Sequence, residues 1–128
     1  MILSCGNVFC NRICIVTDAT RGGCLPDGAE KMFDNPGFII EDGVAKLPDR
    51  SAFAGSVCTT NRLVRNMRDM AGVSLCDAVR MMTANPARVA GLCDRGVLRA
   101  GAYADITVFD ENIDVSMTVV NGNVVFEK

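Results

Sequence analysis

RICIVTDAT, the stretch from Arg12 to Thr20, is where the sequence commits itself. Ile13, Cys14, Ile15, Val16 and Thr17 are apolar or small and do not alternate with polar residues. Such a run fits a strand buried on both faces, as in the parallel sheets of α/β proteins. It ends at a single carboxylate, Asp18, and gives way to a loose, glycine-rich segment, Arg21-Gly22-Gly23-Cys24-Leu25-Pro26-Asp27-Gly28. In parallel α/β enzymes the chemistry lies where strands end and loops begin, so Asp18 is a candidate catalytic acid–base. The same carboxylate would equally serve to cap the following turn.

Downstream, Phe38-Ile-Ile-Glu-Asp-Gly-Val-Ala-Lys-Leu47 sets two short strand-like runs around Asp42-Gly43. That pair favours a hairpin with a type I′ turn, and Pro36 and Pro48 punctuate it on either side. A short segment, Phe53-Ala54-Gly55-Ser56, leads to a helix expected from about Thr59 to Ala71. Leu63, Val64, Met67, Met70 and Ala71 share one face of a 3.6-residue period. Arg62, Arg65 and Arg68 line another, which reads as a solvated face ahead of an anion site. Ser74-Leu-Cys-Asp77 resembles a capping box opening a second helix, with Leu75, Ala78, Val79 and Met82 turned inward. Asn85-Pro86 predicts a third, short helix with asparagine as the N-cap, proline at the first helical position and Gly91 just past its end. The methionines at 67, 70, 81 and 82 are expected to fill core.

From Gly96 the texture changes. A turn-rich stretch to Asp105 precedes two alternating runs, Ile106–Phe109 and Val115–Val120, which read as half-buried strands. Asn121-Gly122 is the strongest short hairpin signal in the chain, with Asn123–Phe126 as the return strand.

Bulk composition narrows the function classes. With 128 residues the chain is long enough for a real core, and a net charge of −2 favours neither nucleic acid nor an anionic membrane surface. No apolar run approaches the roughly 20 residues that cross a bilayer, and the N-terminus lacks the parts of a signal peptide, so a cytoplasmic protein is expected. Seven cysteines (5, 10, 14, 24, 58, 76 and 93) form no Cys-x-x-Cys pair. Those at 14, 58 and 76 sit in apolar periodic segments, where cysteine acts as a small hydrophobe. Most informative is the absence of histidine from the whole sequence. Catalytic zinc sites usually take two or three, so metal chemistry would need ligands from elsewhere.

Six short motifs then fall in a fixed order: Ile15-Val-Thr-Asp-Ala-Thr20, Leu25-Pro-Asp-Gly28, Leu63-Val-Arg-Asn66, Asn85-Pro-Ala-Arg88, Gly96-x-Leu-x-x-Gly101-x-x-Ala-Asp105 and Val119-Val-Asn-Gly122. Together they resemble the C-terminal third of the N-acetylglucosamine-6-phosphate deacetylases, of the amidohydrolase superfamily, from about Arg12 to Phe126. The resemblance implies an α/β fold: the C-terminal fragment of a (β/α)₈ metal-dependent hydrolase barrel plus the C-terminal strands of its small β-sandwich. Residues 1–95 would hold the last barrel strand, the hairpin-containing loop and the C-terminal barrel helices; residues 96–128 would hold the sandwich strands. It implies hydrolysis of N-acetylglucosamine 6-phosphate to glucosamine 6-phosphate and acetate, with a divalent metal, commonly zinc, as cofactor. Asp18 matches the catalytic aspartate, and Phe53, Ala54 and Gly55 match a short segment that contacts the sugar. A plain helix-entry loop is the competing reading of those three.

The metal ligands that the resemblance implies lie upstream of the matched stretch, as do the groups that hold sugar and phosphate. The chain is therefore expected to be inactive alone and to pair its orphan strand with a complementary N-terminal chain or with further copies of itself. The rival from a different class is a non-catalytic remnant or interaction module that docks through exposed barrel edges. A cysteine-based metal or redox protein is a third, weaker reading.

Overall fold

The structure, a computed structural model, describes residues 10–31 and 37–128. Cys5 with the rest of the N-terminal lead-in, and Pro36, lie outside the described residues. The chain forms two compact units: Val16–Thr60, and the residues up to Ile15 together with Asn61–Lys128.

The Val16–Thr60 unit is built on an antiparallel sheet of β1 (Glu30–Lys31), β2 (Phe38–Glu41) and β3 (Val44–Lys46), in that order. Strands β2 and β3 form the expected hairpin, with Ile40 opposite Ala45 and Glu41 opposite Val44. Its turn residues Asp42 (φ 56°) and Gly43 (φ 68°) are both left-handed, as a type I′ turn requires. The Gly43 amide donates to Asp27 Oδ1 at 3.0 Å, which ties the turn to the glycine-rich segment. Ile40, Ala45 and Val57 are the buried centre, with Leu25, Ala29, Phe38 and Ala54 packed against it. Gly22 is buried because the Phe38 ring occupies its side-chain space: a Cβ there would stand 2.7 Å from Phe38 Cε2 and 3.0 Å from Val57 Cγ1.

The other unit carries three helices, α1 (Thr60–Asp69, its first residue lying at the boundary), α2 (Leu75–Met82) and α3 (Ala84–Val89). A second antiparallel sheet follows, β4 (Ile106–Phe109), β5 (Val115–Val120) and β6 (Asn123–Glu127), ordered as a simple meander. The Asn121-Gly122 turn again has both residues left-handed, at φ 51° and 79°. The core gathers Cys10, Val64, Val73, Ala78, Met81 and Ile113, with Ile13, Ile15, Met67 and Phe109 among the partly buried residues around it. Ser74 caps α2 as its motif predicts, its hydroxyl oxygen accepting from the Asp77 amide at 3.2 Å.

Four expectations are corrected. Arg12–Thr17 is not a strand: none of the described strands pairs with it, and Val16 is 71 % exposed. An apolar run predicts burial, but a strand also needs a neighbouring strand to pair with, and none of the described strands takes that place here. Only Ile15 is held by main chain from α2, donating to the Met81 carbonyl at 2.9 Å. Asn85 is not an N-cap. Helix α3 begins two residues earlier than expected, at Ala84, behind a Thr83 that makes no side-chain capping bond. The Asn85 side chain is buried instead and donates through Nδ2 to the Cys10 and Ile13 carbonyls, 2.7 Å each.

The arginine face of α1 is neither merely solvated nor an anion site. Arg65 donates to the Asn112 carbonyl at 2.7 Å and to Asp114 Oδ1 at 2.8 Å, and Arg68 donates to the Glu111 carbonyl at 2.6 Å. These bonds clamp the β4–β5 loop, whose Ile113 enters the core at 2 % exposure with φ 63°. The apolar faces, last, are narrower than their periodicity suggests. Met70 lies beyond the end of α1 and is 68 % exposed, Leu75 opens α2 at 38 %, and Cys76 is exposed as well.

Candidate active site

The expected site residues all fall in the Val16–Thr60 unit, and hydrogen bonds bring them together. The edge of β3 starts the assembly. Residues 52–54 run beside it as a further extended segment: Leu47 donates to the Ala52 carbonyl at 2.9 Å, Ala54 donates to the Ala45 carbonyl at 2.8 Å, and Lys46 faces Phe53. Gly55 then turns the chain with φ +107°, a conformation closed to side-chain-bearing residues. This redirects Ser56 to lie parallel to Ala19 in a bridge, next to Asp18. Ala19 and Ser56, the sequence neighbours of Asp18 and Gly55, thus pair in one parallel bridge.

Asp18 is exposed, and its backbone is left-handed at φ 43°. A non-glycine residue there carries strain of roughly 1 kcal/mol, a feature that recurs at functional positions. Among the described residues its carboxylate has no hydrogen-bond or ion-pair partner. An acid held on a paired segment with its carboxylate open to solvent can receive and return a proton. The capping role does not appear: the Gly22 amide bonds to Thr20 Oγ1 at 3.3 Å and the Gly23 amide to the Thr20 carbonyl at 3.0 Å, so Thr20 closes that turn. Phe53 is 77 % exposed, an apolar ring standing free beside small residues.

The scaffold beneath is held by charge. Glu41 accepts from Arg50 at 2.5 Å and from Lys46 at 3.4 Å, and Lys46 also reaches Asp42 at 3.1 Å. The Arg50 guanidinium, with Lys46 adding to it, holds the Glu41 carboxyl below its ordinary value, and burial only partly opposes this.

A metal finds no holder here. Among the described residues no group of three or more cysteine, aspartate or glutamate side chains could grip a cation. The described residues therefore do not fit the group by themselves. Sequence reasoning missed Thr20 and Ser56, which join the two halves of the site. Their only signal is position: Thr20 comes two residues after Asp18 and Ser56 one after Gly55.

A glycine-turned segment beside an acid at the end of an apolar run is joined by a family match that covers most of the chain. The amidohydrolase family model matches residues 50–126, and the chain belongs to that family, whose members are generally metal-dependent. Within it the similarity is to the N-acetylglucosamine-6-phosphate deacetylases, as the ordered motifs imply. The enzyme of that name from Lysinibacillus sphaericus is 32 % identical over 112 residues, which are 88 % of this chain and 28 % of that protein. The crystal structure of the Thermotoga maritima N-acetylglucosamine-6-phosphate deacetylase superposes with a TM-score of 0.80 at 32 % identity, over 93 % of this chain and 32 % of that one. A mutant of the Mycobacterium smegmatis deacetylase, in complex with N-acetyl-D-glucosamine-6-phosphate, superposes with a TM-score of 0.78 at 30 % identity over 91 % of this chain. The chain thus spans 28–32 % of the length of these relatives.

Proposed function

We propose that the chain is the C-terminal part of an amidohydrolase that removes the N-acetyl group from N-acetylglucosamine 6-phosphate, releasing glucosamine 6-phosphate and acetate. The observation that supports this reading is the Ala19–Ser56 bridge, which pairs the residue after Asp18 with the residue after Gly55, in a chain whose relatives are named as deacetylases of that sugar phosphate. Asp18 takes the proton from the attacking water as oxygen bonds to the acyl carbon. It returns that proton to the nitrogen as the carbon–nitrogen bond breaks. Phe53 offers an apolar face to the sugar, and the small residues Ala54 and Gly55 let main chain approach it. The family's divalent metal, with zinc the expected ion, is held by groups outside this chain.

The wider architecture follows the same reading. Residues 1–95 belong to a (β/α)₈ barrel and its C-terminal helices, and residues 96–128 to a small β-sandwich. Arg12–Thr17 becomes the last barrel strand once neighbours flank it; its exposed Val16 supports an edge awaiting partners. A complementary N-terminal chain, or self-association, supplies that cover, in the cytoplasm. No helix among the described residues is long and apolar enough to cross a membrane.

Acetate release from N-acetylglucosamine 6-phosphate with added zinc tests the proposal. The purified chain alone should give no turnover above background. Mixing it with the N-terminal portion of a deacetylase relative should restore activity, and Asp18→Asn should reduce the restored kcat by about 1000-fold, the middle of the usual range for losing a general acid–base. A silent mixture containing a folded, associated pair would instead favour the non-catalytic interaction module, which the exposed Val124, Val125 and Phe126 of β6 also fit.

A further inference from the structure

We infer that Thr20 is the positioning residue of this site: it locks the turn that carries Asp18 onto the Phe53–Gly55 segment. The inference rests on the reading of Asp18 as proton acceptor and adds a residue to it. Three features of Thr20 converge. Its amide donates to the Ser56 carbonyl at 2.8 Å, and its hydroxyl donates to the same oxygen at 3.1 Å. The hydroxyl oxygen in turn accepts from the Gly22 amide at 3.3 Å. Its methyl group fills the space beside Gly55, where a Cβ would stand only 2.4 Å from Thr20 Cγ2.

The doubled bond to Ser56 is the informative one. The main-chain amide alone already satisfies that carbonyl and completes the bridge, so the hydroxyl is not needed for pairing. What it adds is direction. By accepting from Gly22 while donating to Ser56, it fixes χ1 of Thr20 and links both sides of the turn through one atom. Asp18 lies two residues away in a left-handed conformation that relaxes unless its surroundings hold it. The methyl group seals the other side, so Gly55 and the Asp18 turn shift together or not at all. Proton transfer tolerates little misplacement, so a loosened turn costs rate before it costs affinity.

Two substitutions separate the parts. Thr20→Val keeps the shape and removes the hydroxyl; Thr20→Ser keeps the hydroxyl and removes the methyl. In the chain reconstituted with the N-terminal portion of a relative, T20V should lower kcat about tenfold with KM within about twofold, and T20S should recover most of that loss. A wild-type kcat for T20V, or T20S as impaired as T20V, overturns the inference. Nuclear magnetic resonance of this chain alone gives an independent reading. T20V should shift the Asp18 amide–Hα coupling away from its left-handed value and speed exchange at Gly22, while Ile40, Ala45 and Val57 keep their signals. An unchanged Asp18 coupling overturns it equally. If the wild-type mixture shows no turnover, the deacetylase reading fails by itself, and the resonance experiment alone decides the role of Thr20.

Discussion

Asn85 shows how one side chain can hold a segment that its own helix never touches in sequence. It is 1 % exposed, and its amide group bonds two carbonyls of the 10–13 turn more than 70 positions away. Arg88 and Arg80 add bonds to Asn11 from the same pair of helices. Among the described residues the buried Asn85 Oδ1 atom has no hydrogen-bond partner, so the bonds seen here are those its amide donates. Asn85→Ala should destabilise the chain by roughly 2–3 kcal/mol, two buried carbonyls losing their donor. Urea unfolding checks this; a loss under 0.5 kcal/mol would mean the turn is held by its other contacts. Asn85-Pro86 in the sequence signals a helix start, and the start is displaced by only two residues, to Ala84. Long-range donation is invisible at that level, because nothing local distinguishes an asparagine that caps from one that reaches across a core.

Among the elements, the two hairpins were the most legible, and for a physical reason. A type I′ turn needs two left-handed residues in a row, few sequences supply them, and Asp42-Gly43 and Asn121-Gly122 do. The helices were legible in number and approximate extent, and so were most of the faces they bury: Val64, Met67, Ala71, Ala78, Val79 and Met82 join the core, while Met70 and Leu75 stay exposed. Periodicity says which residues share a face but not what covers it, and the arginine face of α1 turned out to grip a loop. The β2–β3 hairpin leads to a pH prediction. Glu41 has its carboxyl lowered by Arg50 and then Lys46. Its contribution to stability is therefore complete above the ordinary glutamate value of 4.5 and is lost as the pH falls through the lower folded value. Hydrogen exchange at β2 and β3 should accelerate in that acid window, and Glu41→Gln should remove the pH dependence while leaving β4–β6 unaffected. High salt should blunt the effect, since the pair is exposed.

For the whole molecule, the apolar run at Arg12–Thr17 carried the family but not the local structure. Its pattern suits a strand, but none of the described strands pairs with it, and the chain spans 28–32 % of the length of the relatives it matches. On the proposed reading, the isolated chain should be silent in acetate release and its mixture with an N-terminal portion active. The candidate site was legible as far as Asp18 and Phe53–Gly55 through resemblance; Thr20 and Ser56, which join them, required coordinates.

The contact between Gly22 and Phe38 has a consequence for how such chains diverge. Gly22 is glycine for want of space: the ring of Phe38 stands where its side chain would go. Gly22→Ala alone should cost about 1–3 kcal/mol by overpacking, and a second change, Phe38→Leu, should return part of that loss. Descent can then cross between the two pairings only through a weakened intermediate or a double step. Lineages should thus inherit these positions as a matched set, small with large or medium with medium, and a sequence carrying one half of each should be rare.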